Sequence, residues 1–146
     1  MLASGAVNSG GNFNHITSHV VRHAIDAGLQ TDFIRHLRSA YRARLEAMDE
    51  ALSSHLADLA RWRRPEGGYF FWLELPAGVD TAGLKPLALE AGTGFQPGVL
   101  FSNCGELSNA LRLSFAHYGV DDIHEGVTRL AAVLKNSRVR TSPRCS

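Results

Sequence analysis

Hydrophobic positions along the chain alternate between a helical and a strand period, and each switch marks an element. From His15 to Ala27 the apolar residues Ile16, Val20 and Ala24 recur four apart, as on one helical face, and Gly28 stands where such a helix would stop. Thr31 or Asp32 then offers an N-cap for a longer pattern. Phe33, Leu37, Tyr41, Leu45, Met48, Leu52, Leu56 and Leu59 follow in steps of three and four, predicting one helix that runs on to the basic stretch "ARWRR". At about 1.5 Å per residue it is longer than a domain of this size needs for its own core, so it is expected to bridge to something else.

After "RRPEGG" the period shortens. "YFFWLEL", Tyr69 to Leu75, is aromatic and bounded by Gly67, Gly68 and Pro76, which predicts a strand. Thr81 to Ala91 reads as a short helix whose first turn lies at or after Lys85, or which bends, because Pro86 falls inside it. "GVLFSN", Gly98 to Asn103, and Ala110 to Ala116 read as two further strands. Asp121 or Asp122 caps a last helix with Ile123, Val127, Leu130 and Leu134 on one face, and "NSRVRTSPRCS" has no period and is expected to fray. This order predicts an α+β fold in which helices cover a small mixed or antiparallel sheet.

Composition narrows the classes. A chain of 146 residues with 45% hydrophobic content supports one domain with a real core. Fifteen Lys and Arg against 14 Asp and Glu create no general field for nucleic acid or an anionic membrane. Two cysteines, Cys104 and Cys145, make no disulfide framework, and no apolar run reaches membrane-span length, so a soluble protein of a reducing, cytoplasmic compartment is expected. Residues 1–14 carry turn-forming glycines, asparagines and serines in place of a leader peptide, as a cut end would.

One residue interrupts the strand pattern with chemistry. In "NALRLSFAHYG", Leu111, Leu113 and Phe115 alternate with Arg112 and Ser114, which sends the guanidinium to the face opposite the large apolar side chains. A rigid fork of N–H donors suits a carboxylate or phosphate, and small neighbours at Ser114 and Ala116 leave room for one. An arginine on the wet face of a half-solvated strand is equally ordinary. The other clusters favour the plainer reading. His15, His19 and His23 are spaced for one helical face, yet three collinear imidazoles do not converge on one tetrahedral ion without help. "ARWRR" is the solvated basic end of the long helix, "GTGFQPG" lacks the ending of a phosphate loop, and Cys104 has no histidine at a motif spacing.

Taken together, "SGGNFNHITSHVV", "LRSAYRARLEAMDEAL", "GGYFFWLELP", "PGVLFS" and "LRLSFAHYGVDDIHEGVTRLAAVL" resemble the C-terminal part of fold-type I pyridoxal-phosphate aminotransferases of class I/II, over residues 9–135. Within that class the chain is most similar to 2-aminoadipate-type aminotransferases and to the aminotransferase-like halves of some bacterial regulators. The resemblance implies a small C-terminal domain over 65–136, a long interdomain helix over 32–64, a remnant of the large cofactor domain and linker over 1–31, and a disordered tail over 137–146. It implies that Arg112 binds the α-carboxylate of an amino-acid or 2-oxo-acid substrate, with Asn14 and His15 as lesser substrate-site candidates, in an enzyme that works as a homodimer.

Pyridoxal phosphate is implied for the complete enzyme and not for this chain alone. Transamination needs a Schiff-base lysine, an acidic partner for the pyridinium nitrogen, a stacked aromatic ring and phosphate ligands, and the family carries these upstream of the matching segment. Lys85 and Lys135 are the only lysines, and neither stands in a matching motif, so the chain by itself is expected to be inactive, without a metal and without a nucleic-acid partner. The readings left open are part of an aminotransferase, a non-catalytic ligand-binding or regulatory module of the same origin, and a plain interaction domain. Without a large domain to cover it, the long helix is expected to expose part of its apolar stripe and to drive self-association, with Leu45 and Met48 as positions to test for outward exposure.

Overall fold

A computed structural model describes residues 15–141, and the chain divides after Ser39 into two units. In the first, helix α1 (His15–Asp26) closes through Gly28, whose φ of +74° suits glycine and whose N–H donates to Ile25 O at 2.9 Å. Helix α2 (Leu29–Leu56) begins directly after that turn. The cap expected from Thr31 or Asp32 is thus corrected: both lie inside the first turn, where the Asp32 carboxylate suits the positive helix end and pairs with Arg35 at 2.6 Å.

The far end of α2 also differs from expectation. The helix stops at Leu56, whose carbonyl accepts from both Leu59 N and Ala60 N at 2.9 Å, and does not continue to residue 64. "ARWRR" instead contributes an edge strand, β1 (Arg61–Trp62), antiparallel to β2 (Phe70–Glu74) with Trp62 opposite Leu73. Trp62 follows Leu59 by three residues and so prolongs the helical stripe in sequence. Its place is decided by tertiary contacts: its Nε1 donates to Asp49 Oδ1 at 3.0 Å, and Arg64 reaches the same carboxylate at 3.6 Å.

Helix α3 (Thr81–Glu90) is capped by Asp80, whose Oδ1 accepts from Ala82 N at 3.0 Å. It starts before Lys85, and Pro86 lies in its interior with an exposed ring, at the loss of one helical hydrogen bond. The strand expected over Gly98 to Asn103 is replaced by a two-residue strand, β3 (Gln96–Pro97), and a 3-10 turn (Gly98–Phe101). Pro97 has no N–H to donate to a ladder, and Gly98 presses so closely on the next segment that a Cβ there would stand 2.4 Å from Leu107 O.

Strand β4 (Ala110–Ser114) lies between β2 and β3 in the order β1-β2-β4-β3, with every pairing antiparallel. Helix α4 (Val120–Thr141) starts after Gly119, so Asp121 and Asp122 fall inside its first turn, and Asp122 reaches back to accept from Gly119 N at 3.2 Å. Residues 137–141 of the expected tail are helical, because the apolar stripe of α4 ends at Leu134 while the backbone ladder continues; residues 142–146 lie outside the described residues.

The core forms on one face of the sheet. Phe71 and Leu73 of β2, Leu111 and Leu113 of β4, and Phe115 meet Leu52 and Leu56 of α2, Ala88 of α3 and Leu130 of α4, all buried. Phe71 and Phe115 pack edge to face with centroids 5.8 Å apart. Met48 is buried and Leu45 packs against this core, so neither is an outward position of the long helix. The result is the α+β layer anticipated from the periodicity, with a purely antiparallel sheet.

Candidate carboxylate site

Alternation in β2 and β4 sends the side chains that are not in the core to the opposite face of the sheet. Phe70, Trp72 and Glu74 of β2 share that face with Arg112 and Ser114 of β4, and the register sets Trp72 opposite Arg112 and Phe70 opposite Ser114. On the other flank Gln96 of β3 is the partner of Arg112. The arginine therefore sits mid-strand, with rigid backbone on both sides.

Its guanidinium carbon lies 4.0 Å from the centroid of the Phe70 ring and 4.4 Å from that of Phe101, the last residue of the 3-10 turn. Phe101 in turn packs edge-on to Trp72 at 5.7 Å. Among the described residues no carboxylate forms an ion pair with Arg112; the ion pairs engage Arg22, Arg35, Arg64 and Arg129 instead. A half-buried permanent cation held by rings and matched by no anion has donors to offer. Beside it opens a cleft of about 870 Å3, bordered by Phe70, Lys85, Gln96, Arg112, Ser114 and Tyr118. Ser114 is exposed and small, so the space in front of the guanidinium stays open.

No family model matches the chain. Over 102 residues it is 41% identical to 2-aminoadipate transaminase from Thermus thermophilus, which covers 70% of this chain and 26% of that protein. Its fold superposes with a TM-score of 0.84 and 32% identity on LysN, the α-aminoadipate aminotransferase of Thermus thermophilus complexed with N-(5'-phosphopyridoxyl)-L-leucine, over 96% of this chain and 36% of that one. The chain is homologous to pyridoxal-phosphate-dependent aminotransferases and shares their fold. It spans about a quarter to a third of the length of these relatives. The chain is also 32% identical over 103 residues to the HTH-type transcriptional regulator TauR of Rhodobacter capsulatus, covering 70% of the chain and 21% of the regulator.

The other residues singled out in the sequence are dispersed. Asn14 lies outside the described residues, and His15 is described only by its backbone, as the first residue of α1. Asp26, in line with the three histidines, pairs with Arg22 at 3.7 Å, and among the described residues no group of three or more His, Cys, Asp or Glu converges as a metal site. Cys104 is a free, exposed thiol. Lys85 donates from Nζ to Gln96 Oε1 at 3.1 Å, and Lys135 is exposed on α4. Among the described residues no helix is long and apolar enough to cross a membrane.

Sequence reasoning missed the rings around Arg112. The alternation of "YFFWLEL" already places Phe70 and Trp72 on the face away from Phe71 and Leu73, and that signal was available. Phe101 carried none, because its position depends on a 3-10 turn where a strand was expected.

Proposed function

We propose that this chain supplies the substrate-carboxylate arginine of an enzyme that transfers an amino group between an amino acid and a 2-oxo acid. The observation that carries the reading is the guanidinium of Arg112, held mid-strand between two rings, with Arg112 among the residues that line an open cleft and without an anionic partner among the described residues. A carboxylate docked on it would accept two charge-assisted hydrogen bonds, each contributing about 1.5 to 3 kcal/mol, in one planar orientation. That orientation fixes the α-carbon of the substrate, which is what proton removal at that carbon requires.

The described residues do not by themselves fit pyridoxal phosphate. Lys85 borders the cleft but is engaged with the Gln96 amide, Lys135 stands exposed on α4, and neither lies in a motif of Schiff-base type. In this reading the cofactor's ligands belong to other parts of the complete enzyme, a cytoplasmic homodimer, and Asn14 and His15 border its substrate site. The role of the present chain is binding and orientation of the substrate's carboxylate.

The test joins the chain to the cofactor-bearing portion of a relative. Arg112→Gln is expected to lower kcat/KM toward amino acids by about a hundredfold or more, while amines without a carboxylate are nearly indifferent. Arg112→Lys should recover only part of the loss, since a point charge does not reproduce the planar fork. Equal losses for both substrate classes would make Arg112 a structural residue. The kinship with TauR favours a second reading, a non-catalytic ligand-binding module. It predicts carboxylate binding through Arg112 with no transfer activity in any such pairing.

A further inference from the structure

We propose that Phe70 and Phe101 are positioning residues that hold the Arg112 guanidinium ready for a carboxylate, an inference that rests on Arg112 being the carboxylate ligand. A strand fixes the Cα of an arginine but leaves the long side chain to explore many rotamers, and binding a ligand then requires that freedom to be lost. Here the loss is taken in advance. Phe70 approaches from β2 and Phe101 from the turn after β3, the two flanks of β4, with centroids 4.0 Å and 4.4 Å from the guanidinium carbon.

The choice of rings over carboxylates has a chemical consequence. An aromatic face attracts the cation yet offers no lone pair of carbonyl or carboxylate type, so the N–H fork remains available to a ligand. The flanking Gln96 oxygen is itself engaged, accepting from Lys85 Nζ at 3.1 Å. Phe101 is itself braced by Trp72, at 5.7 Å and an interplanar angle of 78°. Neither ring belongs to the core, since Phe70 is 42% exposed and Phe101 44% exposed, so both can be replaced without opening a cavity.

The decisive experiment titrates the full chain with butanoate, and with butylamine as control, while following the Arg112 Nε–Hε resonance by NMR. In the native chain that resonance shifts saturably with butanoate only, and Arg112→Gln removes both the signal and the binding. Phe70→Leu and Phe101→Leu are each expected to weaken butanoate binding about tenfold and to collapse the resonance toward the averaged position of solvent-exposed arginines. Phe70→Tyr and Phe101→Tyr are expected to retain native affinity and shift. Leu variants that bind butanoate as well as the native chain would overturn the positioning role while leaving the carboxylate site in place. A native chain whose Arg112 resonance ignores butanoate overturns the carboxylate site and the positioning role with it. Backbone amide spectra report folding; were Phe70→Leu to lose the native spectrum, Phe101→Leu would decide alone, because its side chain comes from outside the sheet.

Discussion

The hydroxyl of Thr81 is enclosed entirely and has two carbonyl oxygens, Ser108 O and Ala110 O, each at 2.8 Å, for its single proton. It ties the first turn of α3 to the strand that carries Arg112. Thr81→Val keeps the shape and the bond from its backbone N–H to Ser108 O at 2.9 Å but removes the hydroxyl donor from Ala110 O, so urea denaturation is expected to show a loss of about 1 to 3 kcal/mol. Gly98 is constrained by space: an added Cβ would also lie 2.8 Å from Ala110 Cβ and 2.9 Å from Ala110 O. Gly98→Ala is therefore expected to destabilise by about 1 to 3 kcal/mol and to displace the turn that bears Phe101, which the Arg112 side-chain resonance would register.

Among the elements, α3 holds a proline where a helix former would serve better. Restoring an N–H able to reach the Ala82 carbonyl, and removing the ring from the helical turn, should outweigh the entropy that proline removes from the unfolded chain. Pro86→Ala is expected to raise stability by about 1 to 3 kcal/mol, seen as a higher thermal midpoint. Strand β1 has only two residues, and its anchorage on α2 runs through Trp62 and Arg64 to Asp49. Trp62→Phe conserves the apolar ring and deletes the N–H donor, for an expected loss of about 1 to 2 kcal/mol in chemical denaturation.

For the whole molecule, the first unit presents its apolar side chains to solvent: Ile16 is 79%, Val20 64% and Phe33 61% exposed. Exposed apolar stripes favour association. Val20→Ser combined with Phe33→Ser is expected to reduce the mass seen by light scattering at high concentration, with thermal stability of the second unit unchanged. Met48→Ser is expected to act differently, because Met48 is 4% exposed; it should cost about 2 to 5 kcal/mol and lower solubility through unfolding. A strictly monomeric native chain at every concentration would count against the stripe as an adhesive surface.

The sequence by itself determined the helices α1 to α4 as elements, the strands β2 and β4 with their apolar faces, and the alternation that sets Arg112 opposite the core, because helical and strand periods are local properties written into neighbouring residues. The shared motifs added the aminotransferase kinship. Tertiary structure decided where the long helix ends, since Trp62 fits the helical stripe and the strand edge alike and only pairing with Leu73 and Asp49 separates them. It also decided that the chain after Pro97 turns instead of extending, through the close approach of Gly98 to Leu107. Above all it assembled Phe70, Arg112 and Phe101, residues distant in sequence. Their meeting depends on the register of β2, β4 and β3, a long-range choice made by the core on the opposite face of the sheet and carried by no local pattern.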